Sequence, residues 1–324
     1  MDYYQMGPVK VKPGTTAFGH VPVANRPDGT MVNLPVIVAH GVEPGPTLVV
    51  GACCHGDEHE GTMTVIRLGR EIDPQRLKGT FIGVPVINVP AFHNMRRGNP
   101  YDLYILDMNR IFPGRPDGFL TERIAHTFFQ EIVSRADLLI DLHSGANILV
   151  QTELVCYERP DSLELAKAVG GPWDILWKGD TFGSGTSNGA AARLGIPSVM
   201  LELGGAGGRF DHFEENVDKF VHGIANVMKH FRMLEGTPDL PREYTVVQML
   251  PYPCNHGGLI VPEPGLRLRQ WVKQGEKVMS VIDFFGREVE EIRAPFDALV
   301  CGRRVYPVVH AGEWAIFLGQ RTTE

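Results

Sequence analysis

No cluster of Lys and Arg appears anywhere in the sequence, and the formal net charge is −7. A nucleic-acid surface is therefore not expected, and small molecules are the expected ligands. No apolar run approaches the ~20 residues needed to span a bilayer, so no membrane-crossing segment is expected. The opening residues, MDYYQMGPVKVKPG, lack a basic stretch followed by an apolar one, so no signal peptide is expected either. Cysteine is scarce: Cys53, Cys54, Cys156, Cys254 and Cys301 form an odd set without CxxC spacing. That pattern fits reduced thiols in a cytoplasmic protein.

The rest of the composition is ordinary for a globular protein, with 43% hydrophobic and 21% charged residues. A chain of 324 residues buries a sizeable core without staples and forms one large domain, or a large one with a small one. Apolar runs recur as LPVIVAHG, TLVVGACC, TFIGVPVIN, DLLIDLH and IPSVMLELG. They are continuous rather than alternating, as in strands covered on both faces. Between them, EGTMTVIRLGREI, TERIAHTFFQEIVSRA and NVDKFVHGIANVMKHFRML carry apolar residues at helical spacing. Thr121 before Glu122 reads as a helix start. The alternation predicts an α/β sandwich around a mostly parallel sheet. EGTPDLPREY reads as a linker. Beyond it, short strand-like pieces punctuated by Gly and Pro predict a small all-β domain, giving units of 1–240 and 245–324.

Chemistry concentrates at the ends of the predicted strands. In GACCHGDEHEG, His55 and Glu58 are three residues apart where a strand gives way to a helix. Imidazole nitrogen and carboxylate oxygen suit zinc, and this spacing lets both face one ion. The same spacing recurs at His212/Glu215 and His310/Glu313, but only the first pair follows a strand among small residues. The plain alternative is two polar residues on a solvated helix start. Asp57, His59 and Glu60 read as surface or supporting residues. LLIDLHSG supplies His143 at a second strand end, with Asp141 on the same side of an extended chain to hold its tautomer. IPSVMLELGG places Glu202 at a third. A carboxylate there either pairs with an Arg such as Arg193 or acts as an acid/base near an ion. LDMNRIFPG offers Asn109 and Arg110 for a carboxylate, and NMRRGNP offers Arg96 and Arg97 for a developing negative charge.

Together HGDEHEG, NVPAFHNMRRGNPYDLYILDMNRIFPG, DLHSG and VMLELGG resemble the succinylglutamate desuccinylase/aspartoacylase family, relatives of the zinc carboxypeptidases. The resemblance covers most of residues 45–210 and lies nearest the bacterial branch of N-acetyl-diaminobutyrate deacetylases. It implies a zinc-carboxypeptidase-like α/β/α sandwich and one Zn2+ held by His55, Glu58 and His143. It further implies Glu202 as base, Asn109 and Arg110 gripping a substrate carboxylate, and Arg97, with Arg96 as the alternative, polarising the carbonyl. The implied reaction is hydrolysis of an N-acyl amino acid. A carboxypeptidase on small peptides and a non-catalytic carboxylate-binding protein are the rivals, and a homo-oligomer is compatible with the family. The loop at 179–189 either lines the acyl pocket or is a surface connection. The C-terminal piece resembles a biotinyl/lipoyl-like barrel, but its DFFGREVE stretch lacks the carrier Lys, which argues against a carrier role.

Overall fold

The computed structural model describes residues 3–179, 182–207 and 210–322; Asp180 and Thr181 of the Gly/Ser/Thr-rich loop lie outside them. Strands run at Tyr4–Met6 (β1), Val9–Val11 (β2), Thr15–Asn25 (β3), Met31–His40 (β4) and Glu43–Ala52 (β5). They continue at Lys78–Val84 (β6), Leu138–His143 (β7), Leu149–Tyr157 (β8), Ile175–Lys178 (β9) and Ser198–Gly205 (β10). The helices are Glu60–Glu71 (α1), Val89–His93 (α2), Leu120–Thr127 (α3), Leu163–Ala168 (α4), Ser187–Arg193 (α5) and Phe210–His230 (α6).

The continuous apolar runs form a sheet covered on both faces. Leu48, Val50 and Ala52 of β5 pack with Val65 and Leu68 of α1 and Phe220 and Ile224 of α6. Val49, one residue out of phase, packs on the other face with Ile124 of α3 and Ala190 of α5. The two faces follow from the period of two along a strand. The expected α3 starts at Leu120 rather than Thr121, because Asp102 accepts the Thr121 amide at 3.3 Å and holds that residue inside the first turn.

The sheet's centre is the parallel set β6-β5-β7-β10. Its flanks are more antiparallel than the sequence reading expects. β3 and β4 are joined by only residues 26–30, too few for a parallel crossover, so they pair antiparallel. β10 is parallel to β7 but antiparallel to β8, which puts a reversal of strand direction beside Glu202. Ligands in open α/β sheets collect at the carboxyl ends of strands where the strand order reverses, here between β5 and β7, whose neighbours β6 and β10 lie on opposite sides.

After residues 231–244, which hold no helix or strand, the chain is all β, as the Gly/Pro punctuation predicts. The strands are Thr245–Pro253 (β11), Gly258–Pro262 (β12), Trp271–Val272 (β13), Lys277–Ile282 (β14), Glu288–Arg293 (β15), Ala298–Arg304 (β16), Val308–Val309 (β17) and Trp314–Arg321 (β18). Four of them extend the main sheet to twelve strands, and β15-β14-β12-β17 form a second sheet. Gly302–Arg304 of β16 pair with Leu149–Gln151 of β8, so the C-terminal strands reach the strand ends of the main sheet. The β14–β15 turn carries exposed Phe284 and Phe285. No helix of the described residues is long and apolar enough to cross a membrane.

Candidate active site

The strand ends deliver their side chains to one place. β5 stops at Ala52, and Cys53 takes a left-handed φ of 55°, unusual for a residue with a Cβ. Gly56 lies so close to the Ala91 and Phe92 backbone that a Cβ would collide, which fixes the turn before α1. His55 and Glu58 are both buried there. His143 ends β7 and pairs in register with Glu202 of β10. Ligand atoms of His55, Glu58 and His143 all lie within 4.8 Å of one another.

Orientation sharpens this picture. His55 Nδ1 is 2.7 Å from Glu58 Oε1, and His143 Nδ1 is 2.9 Å from Glu58 Oε2. The far nitrogen of each ring faces a different carboxylate: His55 Nε2 is 3.0 Å from Asp107 Oδ1, and His143 Nε2 is 3.0 Å from Asp141 Oδ2. An imidazole that gives its outer N–H to a carboxylate presents its inner nitrogen as a lone pair to a metal. Two such nitrogens and one carboxylate oxygen fit a divalent ion such as zinc, with a coordination position left for a ligand. Burial opposes the charge on Glu58, but the two imidazoles lower its pKa. Burial likewise opposes charge at His143, yet Asp141 and Glu58 raise its pKa well above the ordinary imidazole value. The site is strongly polarised toward an anionic carboxylate and a cationic partner, the pattern a bound dication satisfies.

A cavity of about 380 Å³ opens over this cluster. Arg97, Asn109, Arg110 and Glu202 line it as well, so the residues singled out from the sequence share one cleft. Arg96 is exposed and does not line it. Glu202 makes no pair with Arg193, which instead donates to the Phe112 and Ser184 carbonyls. Glu202 Oε2 is buried with no hydrogen-bond partner among the described residues. Burial pushes the Glu202 carboxyl up to about 8, with His143 pulling it partly back. Asp57 and Glu60 are buried rather than superficial; Asp57 accepts from Asn147 at 3.1 Å and Glu60 from the Gly205 amide at 2.9 Å.

Asp107 escapes a sequence reading, although it sits two residues before Asn109. It accepts the Asn109 amide at 3.0 Å and the Arg97 guanidinium at 2.9 and 3.1 Å while facing His55. Burial works against its charge, but His55 and Arg97 hold its carboxyl well below the usual range. Its short-range signal, an Asx-type turn into a 3₁₀ segment, was present in the sequence. The contribution of Trp314 and Phe317 to the far wall carries no such signal, since both arrive from β18.

A buried pair of histidines with one carboxylate, at the strand ends of an open α/β sheet, makes a site that could hold a divalent ion beside a ligand cleft. The sequence carries the finer assignment. Residues 44–231 match the model of the succinylglutamate desuccinylase/aspartoacylase catalytic domain. The N-alpha-acetyl-L-2,4-diaminobutyric acid deacetylase of Halomonas elongata is 32% identical over 87% of this chain and 84% of its own length. A succinylglutamate desuccinylase structure from Silicibacter sp. TM1040 superposes with a TM-score of 0.83 at 26% identity, covering 96% of both chains. The product-bound ectoine utilization protein EutE of Ruegeria pomeroyi gives 0.84 at 26% identity, covering 95% of this chain and 96% of that one. The chain belongs to the succinylglutamate desuccinylase/aspartoacylase family.

Proposed function

We propose that this protein is a zinc-dependent hydrolase of the amide bond in N-acylated amino acids. The observation that carries the reading is the convergence of His55, Glu58 and His143 within 4.8 Å beside a buried carboxylate, Glu202, whose Oε2 has no hydrogen-bond partner among the described residues. The desuccinylase and deacetylase relatives support it. Residues 1–240 would form the catalytic unit and 245–324 the β-rich one that closes the cleft.

His55, Glu58 and His143 would hold the ion, which supplies Lewis acidity toward the scissile carbonyl and acidifies the attacking water. Glu202, once ionised beside the ion, would accept a proton from that water and return it to the departing amine. Arg97 lies 3.6 Å from Glu58 at the rim of the cluster and faces the carbonyl oxygen as it gains charge. Asn109 and Arg110 orient the substrate carboxylate. The Ser187 amide can only donate, so the Asn109 atom 3.0 Å from it is the oxygen, which leaves Nδ2 as the group offered to a substrate. Arg110 spends one donor on its neighbour's carbonyl at 2.8 Å and stacks on Phe182 at 4.7 Å.

The charges around the cavity favour an uncharged acyl group. Arg97 is gripped by Asp107, and Arg304 is committed to the Tyr306, Val308 and Trp314 carbonyls and to Glu313. With Arg97 held beside Asp107 and Glu58 for the carbonyl oxygen, Arg110 is the lining guanidinium best placed for a carboxylate. Phe182, Met200, Trp314 and Phe317 make much of the remaining wall. A second carboxylate, as in an N-succinyl group, would face this wall unpaired. Hydrolysis rates for N-acetyl, N-formyl and N-succinyl derivatives of one amino acid test the reading with zinc-loaded protein. The short neutral acyl groups are expected to react fastest, and no turnover of any of them would refute it.

A further inference from the structure

The Gly/Ser/Thr-rich loop is neither a free surface connection nor only a pocket wall. Gly185 sits against the Arg110 backbone so closely that any Cβ would collide, and its carbonyl accepts the Phe112 amide at 2.9 Å. Phe182 covers the Arg110 guanidinium. Ser187, which follows and opens α5, is buried and donates two bonds to different partners. Its amide donates to Asn109 Oδ1 at 3.0 Å. Its hydroxyl donates to Asp141 Oδ2, the same oxygen that faces His143 Nε2. Asp141 Oδ1 has no partner among the described residues, so the Ser187 hydroxyl and His143 share the one bonded oxygen of a buried carboxylate.

We infer that Ser187 is a positioning residue that fixes the Asp141–His143 pair with its hydroxyl and the Asn109 amide with its backbone. This rests on the metal-dependent reading above. A carboxylate held by a second donor cannot rotate away from the imidazole, so His143 keeps its tautomer and ring angle. The two roles separate chemically. Replacing the side chain leaves the backbone N–H, so substrate capture through Asn109 survives while support of His143 is lost. Orientation of a metal ligand and of a substrate carboxylate are thereby set by one residue on one short helix.

The test is zinc affinity by chelator competition, alongside steady-state kinetics. Ser187→Ala should bind zinc on the order of 10-fold more weakly. Its kcat should fall while KM for a carboxylate-bearing substrate stays unchanged. In an Asp141→Asn background the further loss caused by Ser187→Ala should disappear, which a merely structural role would not produce. Ser187→Cys, which keeps a weak donor, should lie between wild type and Ser187→Ala and serves as the probe should the alanine variant not fold. Wild-type zinc affinity in the folded variant, or equal losses in both backgrounds, would overturn the inference. If wild-type protein itself binds no zinc, the functional reading fails instead.

Discussion

Glu202 and Glu153 lie one rung apart on neighbouring strands, since Glu202 of β10 pairs with Leu154 of β8. Both are buried, yet they face opposite sides of the sheet and behave in opposite ways. Glu153 accepts from Thr152 at 2.6 Å, Lys219 at 2.9 Å and Arg269 at 3.2 Å. Burial raises its pKa, but these donors more than offset that and leave it lowered. Glu202 has burial without donors at Oε2 among the described residues and is pushed up to about 8. The same side chain is thus a structural anchor on one face and, in the proposed mechanism, a proton carrier on the other, and the difference is the number of partners supplied.

Removing the proton carrier should have the largest effect. Glu202→Ala is expected to lose about 10³-fold in kcat with zinc still bound, read by kinetics and metal analysis together. Retained turnover would break the contrast with Glu153. The stability signs should also oppose. A folded-state pKa raised to about 8 costs stability as pH rises from the ordinary carboxylate value toward 8. Metal-free Glu202→Gln should therefore gain on wild type across that window, by roughly 1 kcal/mol per pH unit, in urea unfolding.

Stripping the metal comes next. If zinc is present at about a thousand times its Kd, chelation should cost about 4 kcal/mol of stability, measurable as a fall in Tm. An unchanged Tm would remove the ion from the cleft. Arg110→Ala should follow at about 2 kcal/mol, seen as a 10- to 100-fold rise in KM for carboxylate-bearing substrates. Equal KM values would take the clamp away from Arg110. The smallest effect belongs to the anchor. Glu153→Gln should lose about 1 kcal/mol above the unfolded carboxylate pKa. That deficit should vanish as pH falls through the lowered folded value, because both states then carry the proton. A pH-independent deficit would mean that packing, not charge, holds Glu153.

Much of this was legible before any coordinates. TLVVG and LLIDLH are strands because β-rich apolar runs bounded by Gly and charge have few other uses. His55, Glu58 and His143 stood out because polar ligands at the ends of buried strands need a reason. Asp141 was readable because two residues along a strand share a face, and the structure puts it 3.0 Å from His143. Asp107, Ser187 and Trp314 were not readable as site residues. Each acts on a partner far along the chain, 52 residues in the case of Asp107 and His55.

The sequence by itself determined the elements, the chemical inventory and the family, because period, residue type and motif order are local or linear properties. Only the tertiary structure decided which carboxylate is satisfied and which is left bare. It also decided that strands from the C-terminal region line the cleft and that the first residue of one short helix bonds both Asp141 and Asn109. Partnering depends on distances between segments that no linear pattern encodes, and in a buried site those distances set the charge state.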